Sequence, residues 1–257
     1  MDELNKAFQL VEPEGTLIGP DRVHPGDLGC QWIAHSVIKQ ISSPTSTALV
    51  IDVHGDHETR MMGSTAESIQ YSDNAELTFL YCPAALPAWI NLFHEQNSIH
   101  EPTHHDDMIH ILGLPEGLYE LVVDGCPVST HSSKQLKRGI QLGMISGSPL
   151  QVQAKRVVEL TEEFFRLEAL IRAIRYTEKH FARARVDYTD NRQANRFVRE
   201  LLTNTEISAW HREQYETYLF CKPMEQELLR LIHLKTQVMY QNNKPASISV
   251  TIRPLSA

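Results

Sequence analysis

The sequence predicts an α/β protein in three stretches: a strand–loop–helix segment over residues 1–43, a small β-rich unit over 44–130, and a long C-terminal helical hairpin with a closing strand over 131–257. Three observations carry this. The short apolar run Thr16-Leu17-Ile18-Gly19 leads through a polar loop into an amphipathic helix, the order found along one layer of an α/β sheet. Several short β-type runs follow, separated by turn residues. Beyond residue 148 the apolar residues recur at spacings of three and four.

Taken in order, residues 2–11 read as a helix with Leu4, Phe8 and Val11 on one face, broken by Pro13, Glu14 and Gly15. After the Thr16–Gly19 run comes the loop Pro20–Gly26. Asp27 then suits the N-cap of a helix to about Gln40, with Leu28, Trp32, Ile33, Val37, Ile38 and Ile41 on its apolar face. Residues 42–46 are a linker. The β-type runs are 48–53, 77–81, 108–112 and 118–123, the last entering Asp124-Gly125, a two-residue hairpin signal. Ser132 or Ser133 caps a helix expected to reach about Met144. Pro149 opens a longer one to about Phe181, proline being favoured in a first helical turn. Val157, Leu160, Phe164, Leu167, Ile171 and Ile174 make a heptad-like seam, and Met224, Leu228, Leu231 and Val238 repeat the spacing. Asn242 to Pro245 end that helix, and Ser247–Ile252 is the closing strand.

Composition narrows the function classes. With 42% hydrophobic residues the chain can bury a core, and a net charge of −8 excludes the overall basic footprint of a nucleic-acid-binding protein. No apolar run nears the roughly 18 residues that span a bilayer, so no membrane association is expected. The start, Met1-Asp2-Glu3, lacks the features of a secretory leader. The chain as given therefore reads as cytoplasmic, with the location of a fuller enzyme left open. Cys30, Cys82, Cys126 and Cys221 are far apart and read as free thiols.

One constellation carries chemistry. Asp21-x-x-His24 stands in the loop between the apolar run and the helix. That spacing lets the carboxylate reach back to the ring, fix its tautomer and steady the imidazolium, leaving the other nitrogen to take a serine proton. The surrounding run, Leu17-Ile18-Gly19-Pro20-Asp21-Arg22-Val23-His24-Pro25-Gly26-Asp27-Leu28-Gly29, closely resembles the last block of SGNH (GDSL-type) hydrolases, which supplies the Asp and His of the triad. Ile111–Gly125 resembles an accessory β segment of a bacterial subgroup, Leu136–Leu142 the helix after it, and Glu216–Phe220 a motif near that subgroup's C-terminus. The resemblance implies the C-terminal portion of an SGNH, flavodoxin-like hydrolase fold, covering most of residues 4–255. It implies catalytic Asp21 and His24, an acyl ester or acetylated sugar as substrate, and no metal or organic cofactor.

The Gly-Asp-Ser block with the nucleophile, and the Gly and Asn blocks of the oxyanion hole, are not found. Gly55-Asp56-His57 has a histidine where the serine belongs and reads as a turn; Gly63-Ser64 reads as a loop. Roughly the first four strands of the sheet are missing. Leu17, Ile18, Trp32, Ile33 and Val37 are accordingly expected to form an exposed patch that self-associates or binds a chain carrying the serine block. The alternative is a non-catalytic remnant or interaction protein built on the β and helical regions. The dense stretch His94, His100, His104, His105, Asp106, Asp107 and His110 fits no metal-ligand spacing and reads as a loop. Arg22 reads as a surface charge, and Trp210 and Tyr218 as packing rather than a sugar cleft.

Overall fold

A computed structural model describes residues 5–6, 9–10, 17–18, 23–26, 29–30, 33–34, 36–37, 48–55, 64–87, 89, 108–187 and 189–255. The chain divides into two compact units: residues 1–155 with 244–257, and residues 156–243.

Among the described residues, the first unit holds two sheets. In the smaller, β1 (Ala48–Asp52) runs parallel to β4 (Met108–Leu112), which pairs antiparallel with the short β7 (Ile140–Gln141). The larger is antiparallel throughout, in the order β2 (Thr65–Tyr71), β3 (Leu77–Cys82), β8 (Ile248–Pro254), β5 (Leu118–Val123), β6 (Cys126–Ser132). Alternation decides how they meet. Leu49, Ile51, Ile109 and Ile111 of the small sheet are buried in one cluster with Phe79, Tyr81, Tyr119, Leu121, Val250 and Ile252 of the large one. The two sheets therefore pack face to face as a sandwich, each giving every second residue to the core. The closing strand expected over 247–252 is the middle of the five-stranded sheet.

Three sequence expectations change in this unit. β2 was not anticipated. Its pattern is mostly polar because it is an edge strand with a bulge between Glu67 and Gln70. The helix expected to run to Met144 is shorter. Ser132 caps α1 (Ser133–Arg138) in a capping box with Gln135, as its sequence signals. It then stops at Gly139, whose φ of 106° lies outside helical space, and Ile140 turns instead to pair with Ile109. The apolar run before the Asp21 loop contributes, among the described residues, one isolated antiparallel bridge, Ile18 to Pro25. The hairpin at Asp124-Gly125 forms as expected, with φ of 46° and 79°.

The second unit begins inside α2 (Pro149–Ala184). Pro149 stands in its first turn, and Ser148 Oγ accepts the Gln151 N–H at 3.3 Å. The expected partner helix is α5 (Glu225–Asn242). Two further helices lie between them in sequence: α3 (Asn191–Leu202), capped by Asp190, and α4 (Ala209–Cys221), capped by Ser208. A four-helix arrangement replaces the simple hairpin. Its core is Ile174, Phe181, Ala194, Val198, Tyr215, Tyr218, Cys221 and Leu228, with Leu167 and Ile171 of the seam packed against it. No helix among the described residues is long and apolar enough to cross a membrane.

Candidate active site

The Asp21-x-x-His24 loop is closed upon itself. Ile18 bridges Pro25, and the Gly26 N–H donates to the Leu17 carbonyl at 3.3 Å. Leu17 is fully buried, its N–H donating to Asn5 Oδ1 at 3.0 Å. The Cys30 N–H donates to Gly26 O at 2.8 Å, the first helical bond, and the described residues from Gly29 to Val37 are helical. Gly29 has a physical reason to be glycine: a Cβ there would overlap the Leu17 carbonyl oxygen and touch the Pro25 ring at 3.0 Å. The loop ends are thus pinned at two levels, and His24 stands exposed beside the pinned Pro25.

Asp21 lies outside the described residues, so its placement relative to His24 lies outside them too. Arg22, Trp32 and all of the His/Asp stretch except His110 lie outside them as well. The His110 ring packs over the end of α1, its Nδ1 3.3 Å from the Lys137 carbonyl oxygen. Among the described residues, no group of three or more His, Cys, Asp or Glu is placed to hold a metal. Ser64 is buried and accepts the Ala84 N–H at 3.0 Å, which gives it a structural role at the start of β2. Tyr218 is fully buried in the helical core, so it lines no open sugar cleft. Trp210 is half exposed and meets the Tyr176 ring edge-on at 4.7 Å. The four cysteines are free thiols.

One contact was not anticipated. On β6, Ser129 Oγ lies 2.8 Å from His131 Nε2. Their register partners Leu121 and Tyr119 are both buried, so serine and histidine point to the sandwich side of an edge strand. Burial pushes the His131 ring below the ordinary histidine range. Its sequence signal was a Ser-x-His at strand spacing, too short and too frequent to single out.

No family model matches the chain, and no curated protein matches it. Among solved structures, the chain is similar to a gut microbial diltiazem-metabolizing enzyme, with a TM-score of 0.80 at 19% sequence identity. The match covers 98% of this chain and 60% of that one. At this identity the likeness establishes the fold: a mixed α/β architecture shared with a solved enzyme. The chain spans 60% of its neighbour's length.

Proposed function

We propose that the chain is the C-terminal portion of an SGNH-type ester hydrolase, with Asp21 and His24 as the acid/base pair of a Ser-His-Asp triad. The pinned loop carries this reading. A general base must be held still yet open to substrate, and the Ile18–Pro25 bridge with Gly29 under Leu17 provides that for His24. The neighbour has chain beyond what this one covers, which leaves room for a serine block on a separate or preceding segment. An acyl ester is the proposed substrate class, with an acetylated sugar as the natural one.

In this mechanism the serine supplied by the other segment attacks the acyl carbonyl while His24 Nε2 takes its proton. Asp21, bonded to Nδ1, orients the ring and stabilises its charged form. His24 returns the proton to the departing alcohol, then activates water to release the acid. No metal takes part. The division at residues 43 and 130 belongs to the same proposal, the first stretch completing the hydrolase sheet and the rest being accessory.

Reconstitution tests it. The chain alone should hydrolyse p-nitrophenyl acetate no faster than its His24→Ala variant. Joined to a segment carrying the Gly-Asp-Ser block, it should gain turnover that His24→Ala lowers at least about a hundredfold. Turnover by the chain alone, with a serine-directed reagent attached to Ser129, would move the chemistry to the Ser129–His131 contact and overturn the reading.

A further inference from the structure

The proposed reaction makes no use of the solvent face of α3. Arg192, Arg196 and Arg199 are all exposed and stand at i, i+4 and i+7, so one side of the helix carries all three. With Asn195, Glu200 and Thr203 they line a shallow recess of about 570 Å3. Five arginines on α2 and α5 behave differently. Arg156, Arg166, Arg172, Arg175 and Arg230 each pair with a glutamate on their own helix. Among the described residues, the three guanidiniums of α3 enter no ion pair. The segment 179–200 adds Lys179, Arg183 and Arg185 and holds Asp187, Asp190 and Glu200 against these six cations, in a chain of net charge −8. Like charges three and four residues apart repel along a helix, and Glu200 is the one carboxylate of this helix against its three arginines.

We propose that this face binds an anionic polysaccharide bearing carboxylates. Arginine's planar fork matches a carboxylate with two parallel hydrogen bonds. The steps from Arg192 to Arg196 and from Arg196 to Arg199 are about 6 Å and about 4.5 Å along the axis, each of the order of one sugar ring. Asn195 and Thr203 stand among the guanidiniums with groups suited to sugar hydroxyls. A nucleic acid fits less well. Among the described residues, no aromatic ring lines the recess to stack a base, and the acidic remainder of the chain repels a dense phosphate polymer more than one carboxylate per ring. The choice of a carbohydrate rests on the acylated-sugar reading above. The surface would hold the polymer, not cleave it, so binding is measurable whether or not the reconstituted enzyme turns over.

Affinity gel electrophoresis of the full chain decides it. Polygalacturonate in the gel should retard the protein and dextran should not, with the retardation fading as salt screens the contacts. Arg192→Glu/Arg196→Glu/Arg199→Glu should lose at least tenfold in affinity with an unchanged circular dichroism spectrum. Arg→Gln at the same positions serves if that variant melts early. Arg→Lys should fall between, keeping charge but losing the fork. Equal retardation of the Glu or Gln variant, no retardation by polygalacturonate, or tighter binding of an oligodeoxythymidylate would overturn the proposal.

Discussion

At the scale of single residues, the sequence showed most where backbone geometry forces a choice. Asp124-Gly125 was legible because two consecutive positive φ angles admit few residue pairs. Gly29 was legible only as part of a motif; its reason is the Leu17 carbonyl beneath it, a contact no local pattern encodes. Gly29→Ala should therefore destabilise the loop by about 1–3 kcal/mol through overpacking, visible as a lower melting temperature and lost protection of the Cys30 amide in hydrogen exchange. An unchanged melting curve would show that the loop can shift at no cost. His180 gives a pH-dependent case. Its Nε2 is buried without a hydrogen-bond partner. Burial, followed by the nearby charges of Arg183, His211 and Lys179, lowers its ring below the ordinary histidine value. The unfolded chain then takes the proton more readily than the folded one. Stability is complete above the ordinary value near 6.5 and declines as pH falls toward the folded value. The melting temperature should fall between pH 7 and pH 5, and less steeply in His180→Leu. Parallel curves would place the effect elsewhere.

Elements were legible in proportion to their apolar period. α2, α5 and the strands 48–52, 77–82, 108–112 and 118–123 announce themselves, whereas α3 buries only Ala194 and Val198 and was lost among charged residues. Its cap, Asp190 accepting the Arg192 N–H at 2.9 Å and that of Gln193 at 3.3 Å, was the signal available. What fastens α2 to the start of α5 was also hidden, because it joins charges 44 positions apart. Glu178 meets Lys222 and, at 2.6 Å, Arg175; Lys222 also reaches Glu225 at 2.6 Å, and Arg175 meets Glu225 as well. Burial works to raise the Glu178 carboxyl, but the hydrogen bonds from Lys222 and Arg175 outweigh it and hold the group below its usual range. Its stabilising part is present above the unfolded carboxylate value and is lost as pH falls through the folded one. Lys222→Met would leave two carboxylates facing Arg175 alone. A loss of about 2–4 kcal/mol is expected, less than for a fully buried pair, read from urea midpoints. A variant as stable as the parent would mean that solvent screens the cluster.

For the whole molecule, four of the five residues of the expected apolar patch are described, and they differ. Leu17 is fully buried, Ile18 and Ile33 are half-buried, and Val37 is 51% exposed, while Trp32 lies outside the described residues. Hydrophobicity alone could not show that Leu17 would be buried, with its backbone N–H bonded to Asn5. Self-association should accordingly be weak. Light scattering at micromolar concentration should show mass rising gradually with concentration, and a 1:1 complex once a serine-block segment is added. A monomer indifferent to that segment would count against the fragment reading. The two-sheet sandwich was the least legible feature, since no local pattern reveals which strand sits centrally.

That central strand has a consequence for synthesis. β8 pairs with β3 and β5 on its two sides, yet Val250 follows its partner Val123 only after the helical unit has been made. On the ribosome the larger sheet must wait in two halves, each with an open edge, while residues 156–243 emerge and can fold first. A nascent chain halted near residue 243 should therefore expose β3 and β5 to chaperones and proteases. Arrest there, followed by limited proteolysis, should nick the sandwich and spare the helices.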